Sequence, residues 1–140
     1  MSELNVQTQE NEEKKHDGRH LARMRLMQAL FVDEYKNQSW ENFEIEFDQQ
    51  ALEEIRDKKS YYDEQIQKVA KERPLGDLAR VDLSILRLIL HEHEKKKTPV
   101  KVLINEGVEL AKEFGAEQSY AFINAVLEKI LLNGEKKDGE

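Results

Sequence analysis

The 140-residue chain contains no cysteine, only two prolines and only six glycines, and it has no apolar run long enough to span a membrane. Lacking cysteine, it has no disulfide framework and no thiolate metal site. The two prolines, Pro74 and Pro99, leave long stretches in which a helix can run unbroken. The glycines do not gather into a phosphate-cradling loop. The opening segment MSELNVQTQENEEKK is the opposite of a signal peptide in character, so a cytoplasmic address is expected.

What the chain does have is charge: 36% of residues are charged against 39% hydrophobic, the balance of a heavily solvated helical domain. The net charge of −7 argues against non-specific nucleic-acid binding by the molecule as a whole. A local basic site remains compatible with it, because exposed charges are screened beyond about 8 Å at physiological salt. The charge is also uneven. Between Asp33 and Glu64 a dense series of acids faces only Lys36, Arg56, Lys58 and Lys59, whereas from Gly18 to Val32 the only charged residues are Arg19, Arg23 and Arg25. A polyanion is steered toward the second segment and away from the first.

Residues 1–17 read as a disordered polar arm and 134–140 as a disordered tail, leaving one helical domain over 18–133. Within it, Ala22, Leu26, Met27, Ala29, Leu30 and Phe31 give the first helix one buried side. Residues 37–47 read as a loop anchored by Trp40, Phe43 and Phe47. A helical stretch from about Asp48 to Lys71, with a break near Lys59-Ser60, is ended by Pro74 and Gly76. The segment from about Asp77 to Glu94 is apolar nearly all round, which predicts a central helix buried on several sides. Thr98 as N-cap and Pro99 at the first helical position start the next helix, and Gly115 ends it. A last helix covers about Gln118 to Leu132. No segment shows sustained strand alternation, so the expected fold is all-α, with six to seven helices.

No catalytic constellation emerges. His91-Glu92-His93-Glu94 is a tempting metal motif, but residues two apart on a helix point about 200° from one another. Helical metal sites place their ligands four apart. A polar helix end is the better reading, and no metal or other cofactor is implied. Glu53, Glu54 and Asp82 lack a histidine or glycine-rich loop in the order of known hydrolases. Lys95-Lys96-Lys97 fits a solvated helix C-terminus, where cations meet the dipole favourably. Arg19 and Arg23, four apart, share one helix face with His20 beside them. By pattern alone, such arginines are more often solvent-facing than RNA-binding. Phe31, Tyr120 and Phe122 offer stacking surface, though aromatic residues in helical stripes are more often core.

Four ordered blocks add a further signal. They are Ala22-Arg23 with Gln28-Ala29-Leu30-Phe31; Arg80-Val81-Asp82 with Ile85-Leu86-Arg87-Leu88 and Glu92; Pro99 with Val102, Ile104-Asn105-Glu106, Val108-Glu109-Leu110-Ala111-Lys112 and Phe114-Gly115; and Phe122 to Lys129, FINAVLEK. With these blocks the chain resembles the NusB family over about Arg19 to Leu132, most strongly from Leu78 onward and weakly between Asn37 and Lys71. The resemblance implies a compact all-α fold of two small helical bundles and a non-catalytic role. That role is a transcription antitermination factor that binds boxA-type single-stranded RNA with the ribosomal protein NusE. The complex joins RNA polymerase and promotes processive transcription of ribosomal RNA operons. Carried over by position, the RNA-binding residues are Arg19, His20, Arg23, Gln28, Phe31, Gln118 and Phe122, and the NusE-binding residues include His91 and Glu92. The arginine cluster is thinned by His20 and Leu21, Phe31 replaces the family tyrosine, and Gln118 stands where an acid is frequent. RNA affinity is therefore expected to depend partly on the protein partner. Two other readings stay open: a helical module assisting ribosomal RNA methylation by a separate enzyme, and a homodimeric interaction protein.

Overall fold

The computed structural model describes residues 3–34 and 46–132, with side chains from Gly18 onward. Six α-helices follow one another: α1 Glu3–Asp33, α2 Gln49–Asp57, α3 Lys59–Val69, α4 Arg80–Glu94, α5 Val100–Phe114 and α6 Ser119–Leu127. A 3-10 turn, Leu75–Asp77, leads into α4, and α6 runs on into a π-helical turn, Glu128–Leu132. No strand occurs among the described residues.

Helix α4 is the centre because its apolar residues leave it no solvent face over most of its length. Leu83, Ile85, Leu86, Leu88, Ile89 and Leu90 are all buried. Helices α1, α2, α3, α5 and α6 all pack against it, and α3 also meets the π-helical turn that ends α6. Helix α1 contributes Leu26, Met27, Ala29 and Leu30; α2 and α3 contribute Leu52, Ile55, Tyr62 and Ile66; α5 and α6 contribute Leu103, Leu110, Ile123 and Leu127. Gly107 lets α5 approach its neighbours closely, since a Cβ there would lie 2.8 Å from Leu127 Cδ1.

Local chemistry sets some of the helix ends. The Asp48 carboxylate accepts from the Ala51 amide at 3.0 Å and caps α2. Lys58, at φ −102°, separates α2 from α3, close to the break read from the sequence. Gly115 donates its amide to the Ala111 carbonyl at 2.8 Å and ends α5. Helix α1 begins at Glu3, in a Glu-, Gln- and Lys-rich segment that carries good helix formers even without an apolar stripe. Two expectations need correction. Thr98 does not cap α5. Pro99 occupies that position, and the Thr98 hydroxyl instead donates to Glu92 Oε2 at 2.9 Å. The last helix is not regular to Leu132, since its final turn is π-helical. Phe47 packs against the core as expected, while Trp40, Phe43 and the tail 134–140 lie outside the described residues.

Candidate nucleic-acid interface

Arg19, His20 and Arg23 lie within one turn of α1, yet they have different surroundings. Arg19 is exposed. Arg23 is only 8% exposed, because it continues the buried stripe of Leu26, Met27 and Leu30 by one helical turn. Its Nε donates to Glu92 Oε1 at 2.8 Å and its Nη2 to Glu92 Oε2 at 2.7 Å, while Nη1 sits 3.5 Å from Glu106. The hydrogen bonds to Glu92 hold the Arg23 proton more firmly than usual, against the effect of burial. Burial alone would push the Glu92 carboxyl up, but Arg23, Thr98 and His91 outweigh it and keep the group below its ordinary range.

The His20 ring bridges two acids of α5, with Nδ1 3.1 Å from Glu106 and Nε2 2.8 Å from Glu113. An imidazole that donates from both nitrogens is the charged form. Burial opposes that charge, and the Glu106 hydrogen bond together with Glu113 overcomes it, raising the pKa above the usual histidine value. The N-terminal basic cluster is thus largely turned inward, binding α1 to α4 and α5.

His91 and Glu92 lie at the other side of the same contact. His91 is buried, with Nε2 3.0 Å from Glu54, which also accepts from Lys95 at 2.9 Å. Arg19, Arg23, His91, Glu92, Lys95 and Lys97 all border one groove beside α2. His93 borders a different groove with Tyr61 and Ile130, so the two histidines of the HEHE run face apart as their spacing requires. Gln28 and Phe31, both half-buried, lie farther along α1, one to two turns beyond Arg23.

The second predicted patch, Gln118 and Phe122, stands on α6. Gln118 is exposed at the N-cap position without a side-chain capping bond. One turn on, the half-buried Phe122 packs its ring against the core and borders a groove between α6 and the end of α3. Sequence reasoning missed the opposite wall of this groove. Lys68 from the last turn of α3 and Lys71 and Arg73 from the segment after it line this wall, and Lys129 closes the α6 side. The Arg73 guanidinium carbon lies 5.2 Å from the Phe122 ring centroid, a cation–π geometry. Gln67 fixes this segment: its amide nitrogen donates to the Ala70 and Arg73 carbonyls at 2.9 and 2.8 Å, and its oxygen accepts from the Leu75 amide at 3.0 Å. At the start of α4, burial raises the Asp82 carboxyl above its ordinary range, a shift that Ser119 and Arg73 partly offset. The available signal was the KVAKER run, 68–73, but nothing in it names Phe122 as its neighbour.

Comparison with known proteins agrees with this architecture. A model described as the NusB family matches residues 4–132. The chain is 36% identical over 123 residues to the transcription antitermination protein NusB of Anaeromyxobacter dehalogenans, covering 78% of this chain and 87% of that one. It is 46% identical over 88 residues to the same-named protein of Clostridium tetani, covering 62% and 58%. The solved structure of T. maritima NusB superposes with a TM-score of 0.73 at 27% identity, covering 86% of this chain and 96% of that one. Among the described residues, no helix is long and apolar enough to cross a membrane, and no group of three or more potential ligands is placed to hold a metal ion.

Proposed function

Because the chain belongs to the NusB family of transcription antitermination proteins, we propose that it binds boxA-type single-stranded RNA together with NusE. In this reading it acts in the cytoplasm, within the RNA polymerase antitermination complex, and promotes processive transcription of ribosomal RNA operons. The observation that carries the RNA half of the proposal is electrostatic. On a chain of net charge −7, the groove beside Phe122 is bordered by Lys68, Lys71, Arg73 and Lys129 against a single acid, Glu72. Such a groove concentrates a polyanion locally, against the net negative charge of the molecule as a whole.

The proposed roles differ from residue to residue. Arg19 offers an exposed guanidinium to phosphate, and Gln118 and Phe122 meet bases on α6, with Gln28 and Phe31 contributing from α1. Arg23 and His20 act mainly by fixing α1 on α4 and α5, since their donors are engaged by Glu92, Glu106 and Glu113. NusE is proposed to dock along the C-terminal end of α4. There His91 and Glu92 shape the surface through Glu54, Arg23 and Thr98.

The test is binding of a labelled boxA-like single strand, with and without NusE, across a salt series. Affinity should rise with NusE and fall linearly with log salt, with a slope of about −0.7 per phosphate contact. Affinity for boxA no greater than for a scrambled strand, in the presence of NusE, refutes the assignment.

A further inference from the structure

Resting on the RNA-binding reading, we propose that the groove between α3 and α6 is a base clamp in which one unpaired base inserts between the Phe122 ring and the Arg73 guanidinium, with Lys68, Lys71 and Lys129 holding the flanking phosphates. Both jaws are planar groups, and the Arg73 guanidinium carbon lies over the Phe122 ring, 5.2 Å from its centroid. A base has a π-face to offer each of them, and stacking against an aromatic or guanidinium plane tolerates any base identity. Seating a base requires the exposed Arg73 side chain to swing outward, a rotation of a long flexible chain with no rearrangement of the core.

The backbone beneath Arg73 is held independently of any ligand. Gln67 bonds three main-chain groups across the turn, so that the Arg73 side chain moves on a fixed base. The backbone that carries Arg73 is therefore in place before binding, which lowers the ordering cost that a loose loop would add. Lys68 and Lys71 precede the jaw on one wall, and Lys129 stands two turns after Phe122 on the other. Cations on both walls suit a backbone running along the groove. The occupant is single-stranded RNA, since a duplex would not present an unstacked base to the Phe122 ring.

The test uses the full chain and a short boxA-type RNA, labelled in one version with fluorescein and in another with 2-aminopurine at successive positions. The wild type should alter 2-aminopurine emission at one position through stacking. Arg73→Ala should lose about five- to one-hundred-fold in affinity together with that spectral signature. Arg73→Lys, which keeps the charge but not the plane, should retain the salt slope and still lose the signature. Replacing Lys68, Lys71 and Lys129 with alanine should reduce the salt slope by roughly 2. All these residues except Phe122 are exposed, so folding should survive, as circular dichroism will check. If the wild type binds but the groove variants match it in affinity, slope and emission, the clamp is overturned and RNA binding elsewhere stands. If the wild type binds no single strand even with NusE, both readings fall.

Discussion

Arg23 and Glu92 form a two-point ion pair, 2.8 and 2.7 Å, where α1 lies against the C-terminal turn of α4. Their side chains are 9% and 23% exposed, so the pair is shielded from water without being sealed. Arg23→Ala leaves Glu92 half-buried with Thr98 as its remaining donor. The expected cost is about 2–4 kcal/mol, at or below the range for a fully buried pair because Glu92 keeps some hydration. Urea unfolding of Arg23→Ala, Glu92→Ala and the double variant should show the double costing less than the sum. The penalty should be complete above the ordinary carboxylate range and shrink as pH falls through the lowered Glu92 value, where the acid becomes neutral. A penalty independent of pH and fully additive would mean that the two side chains do not act together.

This pair also shows what the sequence could and could not reveal. The stripe Leu26, Met27 and Leu30 extends backward by one turn to position 23, so the burial of Arg23 was legible, but its charge suggested a solvent-facing role. Nothing local names Glu92, 69 residues away, as the partner. Helix starts and stops at Asp48 and Gly115 were legible because capping is settled within a few residues. Thr98 misled because a hydroxyl four residues from the end of α4 found Glu92, and tertiary contact outweighed local capping preference. The cationic wall opposite Phe122 was invisible for the same reason: Lys68 to Arg73 and Phe122 meet only through the packing of α3, α4 and α6. The all-α class and the central role of α4 needed only periodicity, and those readings agree with the structure.

His20 makes the helix contact sensitive to pH in the opposite direction from Glu92. Its folded pKa is raised, so its contribution to stability is fully present below the usual histidine value and disappears as pH rises through the folded value. A His20→Ala variant should therefore unfold more easily than wild type at acidic to neutral pH and approach it on the alkaline side. NMR titration of the ring protons checks the direction directly. A His20 midpoint below that of a free histidine peptide would contradict the two-carboxylate bridge.

Lys96 carries a mild strain that glycine would relieve. Its φ is 55°, in the left-handed region that L side chains disfavour, at the turn closing α4. Its amide donates to the His93 carbonyl at 3.0 Å, so the backbone shape is part of the helix stop. The side chain is exposed. Lys96→Gly should raise stability by about 0.5–1 kcal/mol, the gain from removing the Cβ penalty less the added freedom of the unfolded chain. A melting temperature higher by roughly 2–6 °C is the expected reading. A lower one would show that the lysine side chain makes a compensating contact.

Gly115 couples stability to the α6 half of the interface. A Cβ at this position would lie 2.6 Å from Ser119 Cβ and 2.7 Å from the Ala111 carbonyl oxygen. Neither neighbour is the tip of a flexible chain, so the backbone itself must shift. The same turn is fixed by the Ala116 amide donating to Ser119 Oγ at 2.9 Å, and Ser119 is the first residue of α6. Gly115→Ala should cost about 1–3 kcal/mol through overpacking. It should also displace the start of α6, and with it Gln118 and Phe122. Two measurements separate these effects: unfolding for the stability loss, and RNA affinity under conditions where the variant remains folded. If the interface reading is right, the folded variant binds more weakly than wild type. In contrast, Lys96→Gly, at the opposite end of the α4–α5 pair, should leave RNA affinity unchanged.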